Sequence, residues 1–173
     1  KEEILMELWK ILDEEGKETG ELIEKSDPRA FKKGIYHLGA DVWIINNENK
    51  ILIQKRTKTK FFQPNVWAMT GGSVILNETP METIVREAKE ELNIEINAED
   101  LRLITKFKTG NVWMMTYILR GEYNIAEMKF QESEVADAKW ATFEEVYNLV
   151  KNGKFIKNRW EFVSDIIKKE IKI

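Results

Sequence analysis

Three glutamates, Glu87, Glu90 and Glu91, stand close together near the middle of the chain. If this stretch is an α-helix, residues three or four positions apart share one face, so the three carboxylates are neighbours. Crowded carboxylates repel one another unless a cation lies among them, and hard divalent cations such as Mg2+ prefer oxygen ligands. The spacing therefore indicates a divalent-cation site, with a solvated acidic helix face as the alternative interpretation.

The residues that precede these glutamates suit such a site. Arg86 follows Glu78 by eight positions, so its side chain could join the helix to the carboxylate of the preceding loop, although Glu90 is an alternative partner at i+4. Gly71 and Gly72 lack a Cβ atom and allow the backbone to approach a ligand. We interpret Glu78 and Arg86 as residues that support the shape of the loop.

The composition excludes several other kinds of site. The chain has 173 residues, a hydrophobic fraction of 43% and no cysteine, which suits one folded domain and excludes a disulfide framework, a thiolate zinc site and a cysteine nucleophile. The single histidine, His37, excludes histidine-rich metal sites. With 27 basic and 30 acidic residues, no nucleic-acid polymer is expected as a partner. No apolar run reaches the roughly 20 residues of a membrane helix, and the absence of cysteine favours a cytoplasmic location.

The hydrophobic pattern predicts the elements that position these side chains. Strands are expected at residues 39–46, 51–56, 66–70, 101–108, 112–121 and 135–140. The strand at 66–70 is expected to end at Gly71-Gly72. Helices are expected at residues 79–92, 142–150 and 158–171. Either Asn77 or Thr79 could cap the first helix, and Thr142 with Glu145 predicts a capping box on the second.

The N-terminal part of the chain predicts a separate small feature. Residues 5–12 and 20–24 flank a polar turn, which indicates a hairpin or arm, with a short helix as the alternative for the first segment. The whole order predicts an α+β or α/β/α fold, in which helices cover a mixed sheet. We expect a single domain over residues 1–173, with residues 1–35 as the arm.

The segment from Gly72 to Ile94 resembles the signature of the Nudix hydrolases. That signature reads Gly, five residues, Glu, seven residues, Arg-Glu, an apolar residue, any residue, Glu-Glu, any residue, Gly and an apolar residue. Here every fixed position matches except the last Gly, where Asn93 stands. Asn is the next best residue for a left-handed helix end, so we expect the fold to tolerate it. Asn77 stands where members often have another Gly, and the same argument applies.

The resemblance implies the Nudix fold, a mixed β-sheet sandwiched between helices, and hydrolysis of a diphosphate linked to another group. It implies Mg2+ or Mn2+ as cofactor, held by Glu87 and Glu91, in many members also by Glu90, and with help from the backbone near Gly72. A further acid from a later loop commonly acts as ligand or base. Glu134 is our candidate, with Glu132 as its neighbouring alternative, and the general base is expected to be Glu87 or Glu134.

Basic and aromatic residues near the predicted site are candidates for substrate binding. Arg56 is the best placed of a group that also includes Lys55, Lys58 and Lys60, and it could bind phosphate. Trp67 could stack on a base, as could other aromatic residues such as Phe61, Phe62 and Trp113. The alternative interpretations are a solvated strand edge and ordinary core packing. The expected partner is a small diphosphate substrate, such as a nucleoside diphosphate derivative.

Two other functions compete with hydrolysis. The arm resembles that of isopentenyl-diphosphate isomerase and its hydrolase relatives, but the isomerases use a cysteine and several histidines, which this chain lacks. A non-catalytic Nudix domain that only binds a nucleotide is the second alternative, although such members usually lose the glutamates that are present here. The arm also hints at a homodimer, because such arms can pair across subunits.

Overall fold

The computed structural model describes residues 7–172. Its strands are β1 (Leu8–Leu12), β2 (Glu18–Glu24), β3 (His37–Ile45), β4 (Ile51–Arg56), β5 (Trp67–Ala68), β6 (Thr70–Ser73), β7 (Arg102–Thr109), β8 (Val112–Arg120) and β9 (Val135–Ala141). Its helices are α1 (Pro80–Leu92), α2 (Phe143–Lys151) and α3 (Trp160–Ile171). Short 3-10 turns lie at Pro28–Phe31, Ala98–Asp100 and Ile125–Glu127. No helix within residues 7–172 is long and apolar enough to cross a membrane.

Seven strands form one mixed sheet around β3. The strand order is β5-β4-β3-β8-β7, with β6 also paired to β3 and β9 also paired to β4. The β3–β8 pair is parallel, whereas the other pairs of this sheet are antiparallel. The predicted α+β architecture, with a mixed sheet between helices, is confirmed.

The sheet separates two hydrophobic cores, because successive residues of a strand point to opposite faces. Val42 and Ile44 of β3 join Ile84 and Ala88 of α1 in the first core. On the other face, Trp43 and Ile45 of β3 join a second core with apolar residues of α2 and α3, namely Val146, Val163, Ile167 and Ile171. Helix α1 therefore lies alone on one face, and its glutamates can only approach the sheet from that side.

The N-terminal hairpin consists of β1 and β2, which pair antiparallel. Residues 5 and 6 of the predicted first segment lie outside the described residues, and the described part is a strand. The hairpin is joined to the domain beside the loop that precedes α1: Leu8 O accepts a hydrogen bond from Leu76 N at 2.8 Å, and Trp9 stacks on His37 with ring centroids 3.8 Å apart. A homodimer through this arm stays a prediction.

The glycine pair does not end a strand, which corrects the sequence prediction. The predicted strand at 66–70 is divided into β5 and β6, and both glycines lie inside β6. Gly71 pairs with Asp41 and Gly72 with Ala40. A Cβ on Gly71 would lie 2.7 Å from the Cα of Asp41, so β6 can approach β3 this closely only with glycine at that position.

Helix α1 begins and ends at the residues that the sequence indicates. Thr79 is the N-cap, and its capping box with Glu82 is complete, with Thr79 Oγ1 accepting from Glu82 N at 3.2 Å. Asn93 caps the other end in the left-handed conformation, with φ 55° and ψ 39°. Asn77 also has a positive φ, 71°. Both asparagines thus occupy conformations that favour glycine, which explains how they replace glycines of the Nudix signature.

Candidate active site

Glu91 is a buried carboxylate at the boundary between α1 and the sheet. It is only 7% exposed, and its Oε2 accepts a hydrogen bond of 2.5 Å from Nε2 of Gln54 on β4. Burial raises the pKa of Glu91 to about 8; the charges of Glu87 and Glu134 raise it further, while the Gln54 hydrogen bond and the charge of Arg56 oppose the rise. Burial and neighbouring negative charges destabilise the ionised form of this carboxylate, and a nearby cation would stabilise it.

Glu87 lies against the backbone of Gly72. A Cβ on Gly72 would lie 2.7 Å from Cδ of Glu87, so the missing side chain creates the space that the carboxylate occupies. Arg86 Nη1 donates to Glu87 Oε1 at 2.9 Å. Burial raises the pKa of Glu87 in spite of Arg86, and the charges of Glu90 and Glu7 add to the rise. Strand β6 and helix α1 thus bring the Gly72 backbone and one carboxylate together.

Arg86 joins the helix to the loop that precedes it. Its Nε donates to Glu78 Oε1 at 2.7 Å and its Nη2 to Glu78 Oε2 at 3.1 Å, a bidentate pair. Thr83 Oγ1 also donates to Glu78, at 2.8 Å. Burial alone would raise the pKa of Glu78, but these hydrogen bonds lower it below its usual value. The i+4 alternative also exists, as a longer bond of 3.4 Å to the half-exposed Glu90.

Glu134 reaches the site from the loop before β9. Its Oε2 accepts a hydrogen bond from Nζ of Lys60, and its charge raises the pKa of Glu91, so the two carboxylates interact. The backbone of Glu134 is also fixed, because its carbonyl accepts from Thr57 N at 3.1 Å. Glu132, the alternative acid, is exposed. Glu134 is therefore the less exposed of the two acids, and its role as the additional acid stays a prediction.

The carboxylates are each paired with a protein donor rather than gathered into a metal cage. Among residues 7–172, no three acidic or histidine side chains converge closely enough to hold an ion as they stand. Arg86 binds Glu87, Gln54 binds Glu91 and Lys60 binds Glu134. Burial of the three glutamates is graded, from exposed Glu90 through Glu87 to buried Glu91, so they do not form a uniformly solvated acidic face, which was the alternative interpretation.

A family model described as a NUDIX domain matches residues 35–165, well over half of the chain. The chain belongs to the Nudix family. An uncharacterised Nudix hydrolase of Listeria monocytogenes is 32% identical over 152 residues, which cover 87% of this chain and 89% of that protein. By this membership the chain is a Nudix hydrolase.

Solved structures show the same fold. A crystal structure from Deinococcus radiodurans matches with a TM-score of 0.74 at 24% identity, over 94% of this chain and 98% of that chain. A bifunctional NMN adenylyltransferase/ADP ribose pyrophosphatase of Francisella tularensis, complexed with AMP and a manganese ion, matches with a TM-score of 0.64 at 20% identity, over 79% of this chain and 42% of that chain.

Arg56 of this Nudix hydrolase lies near the carboxylates but is already engaged. Its Nη2 donates to Phe62 O at 2.8 Å and its Nε to Gln63 O at 3.0 Å. Burial lowers its pKa, while the charges of Glu91 and Glu134 favour its cation. The guanidinium therefore orders the loop of residues 57–66, and phosphate binding by Arg56 stays a prediction.

The structure does not bring Trp67 together with the carboxylates. Trp67 pairs with Lys55 across β4 and β5 and packs against the second core, with Nζ of Lys139 located 4.8 Å from its ring centroid. Gln54, one residue before Lys55, faces Glu91 instead, so Trp67 lies on the opposite face of the sheet. Its predicted stacking on a substrate would have to occur on that face.

Sequence reasoning missed two polar contacts of the site. Gln54 is a polar residue within the apolar strand sequence Ile51–Arg56 and stands on the same face as the buried Leu52, a signal that was available. Lys60 was grouped with possible phosphate-binding residues but pairs with Glu134. His37, given no role, is buried; burial lowers its pKa to about 4, and its Nε2 lies 3.1 Å from Ser73 Oγ.

Proposed function

We propose that this Nudix hydrolase cleaves a phosphoanhydride bond in a nucleoside diphosphate derivative or a related small diphosphate, with Mg2+ or Mn2+ as cofactor. The observation that carries the proposal is the burial of Glu91 beside the charge of Glu87, with its pKa raised to about 8. Two neighbouring carboxylates of raised pKa, beside a glycine backbone, are an unfavourable arrangement for stability alone and a suitable one for a cation.

The donor chemistry of the residues present fits a divalent cation, which would replace Arg86 as the partner of Glu87 and join Gln54 as a partner of Glu91. Glu87, Glu90 and Glu91 offer only oxygen donors, which hard cations prefer, and the Glu87 carboxylate lies directly beside the backbone of Gly72, where a Cβ would be only 2.7 Å from Glu87 Cδ. A bound divalent cation supplies neutralisation of the phosphate charge and a more acidic water. The chain itself supplies the base, Glu87 or Glu134, which accepts the proton of the attacking water, and the Arg86–Glu78 pair, which holds the loop.

The proposal is tested by incubation with a panel of phosphoanhydrides in Mg2+ or Mn2+, with release of phosphate and AMP or another monophosphate as the readout. The panel comprises nucleoside triphosphates, dinucleoside polyphosphates, ADP-ribose, NADH, coenzyme A and isopentenyl diphosphate. Glu91→Gln should abolish turnover, whereas Glu95→Gln, the same substitution at an exposed position just beyond α1, should retain it. Equal activity of both variants would overturn the proposed mechanism.

A further inference from the structure

Gln54, Thr70 and Glu91 form a buried chain of hydrogen bonds between the sheet and α1. We propose that this series of hydrogen bonds, here called the amide relay, positions the Glu91 carboxylate so that Oε1 is the oxygen presented to the divalent cation. Gln54 and Thr70 are then positioning residues, neither of which touches the substrate. The inference rests on the proposed function, because it assigns a task to the partners of one proposed cation ligand.

All three side chains of the relay are shielded from water. Thr70 is 2% exposed, Gln54 6% and Glu91 7%. Thr70 Oγ1 donates to Gln54 Oε1 at 3.0 Å, and Gln54 Nε2 donates to Glu91 Oε2 at 2.5 Å. Buried polar groups cost free energy unless they are paired, so each member depends on its neighbour for its hydrogen bond.

The direction of the relay follows from the chemistry of its ends. A cation ligand must be ionised, and an ionised carboxylate only accepts hydrogen bonds, so the amide nitrogen of Gln54 must face Glu91 in the cation-binding form. The amide oxygen must then face Thr70, and the hydroxyl group of Thr70 must donate. Thr70 thus prevents rotation of the amide by 180°, which would place an oxygen against the Glu91 carboxylate and repel it.

The relay connects three separate elements at one point. Thr70 stands on β6 directly before the glycine pair, Gln54 stands on β4, and Glu91 is in the last turn of α1. Because Gln54 holds Oε2 on the sheet side, rotation of the Glu91 carboxylate is restricted and Oε1 is left for the site. Partners that orient metal ligands typically change metal affinity or activity by roughly 10- to 100-fold when removed.

The test measures Mn2+ affinity of the full chain by calorimetry, in parallel with hydrolysis kinetics. Gln54→Met, which keeps the length of the side chain but removes the donor, should weaken Mn2+ binding by roughly 10- to 100-fold. Raising the Mn2+ concentration should restore most of kcat in this variant. Thr70→Val should weaken binding less, and Thr70→Ser, which retains the hydroxyl group, should bind nearly as wild type.

A matched control separates the relay from general packing. Thr116 is a fully buried residue of β8, with 0% of its surface exposed. It pairs with Asp41 of β3, and both side chains lie on the face of the sheet opposite α1. Thr116→Val should therefore leave Mn2+ affinity unchanged. The double variant Gln54→Met/Thr70→Val should bind Mn2+ no more weakly than Gln54→Met alone, because the two residues act through the same series of hydrogen bonds. Thermal unfolding of each variant establishes that it is folded, and if Gln54→Met does not fold, the Thr70 pair of variants decides.

The variant Glu91→Gln distinguishes failure of the proposed function from failure of the amide relay. If wild type and Glu91→Gln bind Mn2+ equally, the proposed function fails. If Glu91→Gln loses binding while Gln54→Met binds as wild type, or if the Gln54 and Thr70 effects multiply, only the amide relay is overturned.

Discussion

Gly72 faces the carboxylate of Glu87 so closely that a Cβ on Gly72 would lie 2.7 Å from Glu87 Cδ. The obstructing atoms belong to the end of a flexible side chain, whereas a Cβ on the adjacent Gly71 would meet the Asp41 backbone. The two glycines therefore serve different purposes. Gly71 permits β6 to pair with β3, and Gly72 leaves the space that the Glu87 carboxylate occupies.

Substitution of these glycines should separate folding from activity. Gly72→Ala should displace Glu87 and lower Mn2+ affinity and turnover by roughly 10-fold or more, with little loss of unfolding free energy. Gly71→Ala should destabilise the fold by about 1–3 kcal/mol or more, as other overpacking changes do. Urea unfolding and calorimetry of both variants give the comparison. A Gly72→Ala protein that is unfolded, or that binds Mn2+ as wild type, would contradict the assignment.

Glu91→Gln should lose activity and gain stability. The pKa of Glu91 lies near 8 in the folded chain, above its ordinary value, so the folded state holds this proton more tightly than the unfolded state. Its ionisation therefore lowers stability progressively as pH rises from about 4.5 to 8. In the absence of divalent metal, Glu91→Gln should have a higher Tm than wild type at pH 9 and a similar Tm at pH 4.5. Equal melting curves at pH 9 would refute the raised pKa.

Asp41 should impose a separate pH dependence on stability. Burial raises its pKa to about 6, while the neighbouring Thr116 hydroxyl group and the charge of Arg159 oppose the rise; Arg159 Nε lies 3.7 Å from Asp41 Oδ2. The folded state binds this proton more tightly, so its contribution is present below about pH 4 and is lost as pH rises to 6 and above. The loss amounts to roughly 3 kcal/mol, at about 1.4 kcal/mol per pKa unit.

The measurement is the unfolding free energy of wild type and Asp41→Asn between pH 4 and 7. The variant should lack the decline that Asp41 contributes in wild type. Asp165→Asn, at an exposed position of α3, is the matched control and should follow the wild-type curve. Because Glu91 contributes its own decline in both proteins, the assignment to Asp41 would be overturned if stability fell as steeply in Asp41→Asn as in wild type.

Arg86→Lys should weaken the site although the positive charge is kept. Lysine cannot form the bidentate pair with Glu78 while also bonding Glu87. We expect turnover to fall by roughly 10- to 100-fold and Tm to fall by a few degrees. Arg102→Lys, at a surface pair with Glu170, should change neither. If both variants behave alike, the geometry of the Arg86 guanidinium is not needed.

Glu134→Gln and Glu132→Gln should distinguish the two candidate acids. Glu134 interacts with Glu91 and with Lys60, whereas Glu132 is exposed. Loss of a general base typically costs about 10²- to 10⁴-fold in rate, so kcat of Glu134→Gln should fall in that range with KM little changed. Glu132→Gln should be nearly as active as wild type. The reverse order would exchange the roles.

Local features of the site could be predicted from the sequence because they depend on neighbours along the chain. The span of α1, its Thr79 cap and the left-handed Asn93 follow from helix chemistry. The Arg86–Glu78 pair also follows, since both residues lie within one helix and its preceding loop.

Contacts between elements that lie far apart in the sequence could not be predicted in this way. The Gln54–Glu91 bond joins residues 37 positions apart and the Lys60–Glu134 pair joins residues 74 positions apart, so both depend on which strands pair. The face of the sheet on which Trp67 lies depends on the register of the β4–β5 pair, because a shift of one residue moves a side chain to the other face. The division of β5 from β6 likewise depends on pairing with β4 and β3.

The arm has a practical consequence for any shortened version of this chain. The family match begins at residue 35, after both strands of the hairpin, and would suggest that residue as a cutting point. A protein trimmed there would lose Leu8 O, the acceptor for Leu76 N in the loop before α1, and would expose the ring of His37 that Trp9 covers. A piece that keeps the Leu8 support of the loop before α1 must therefore begin at Leu8 or earlier, well before the first residue of the family match.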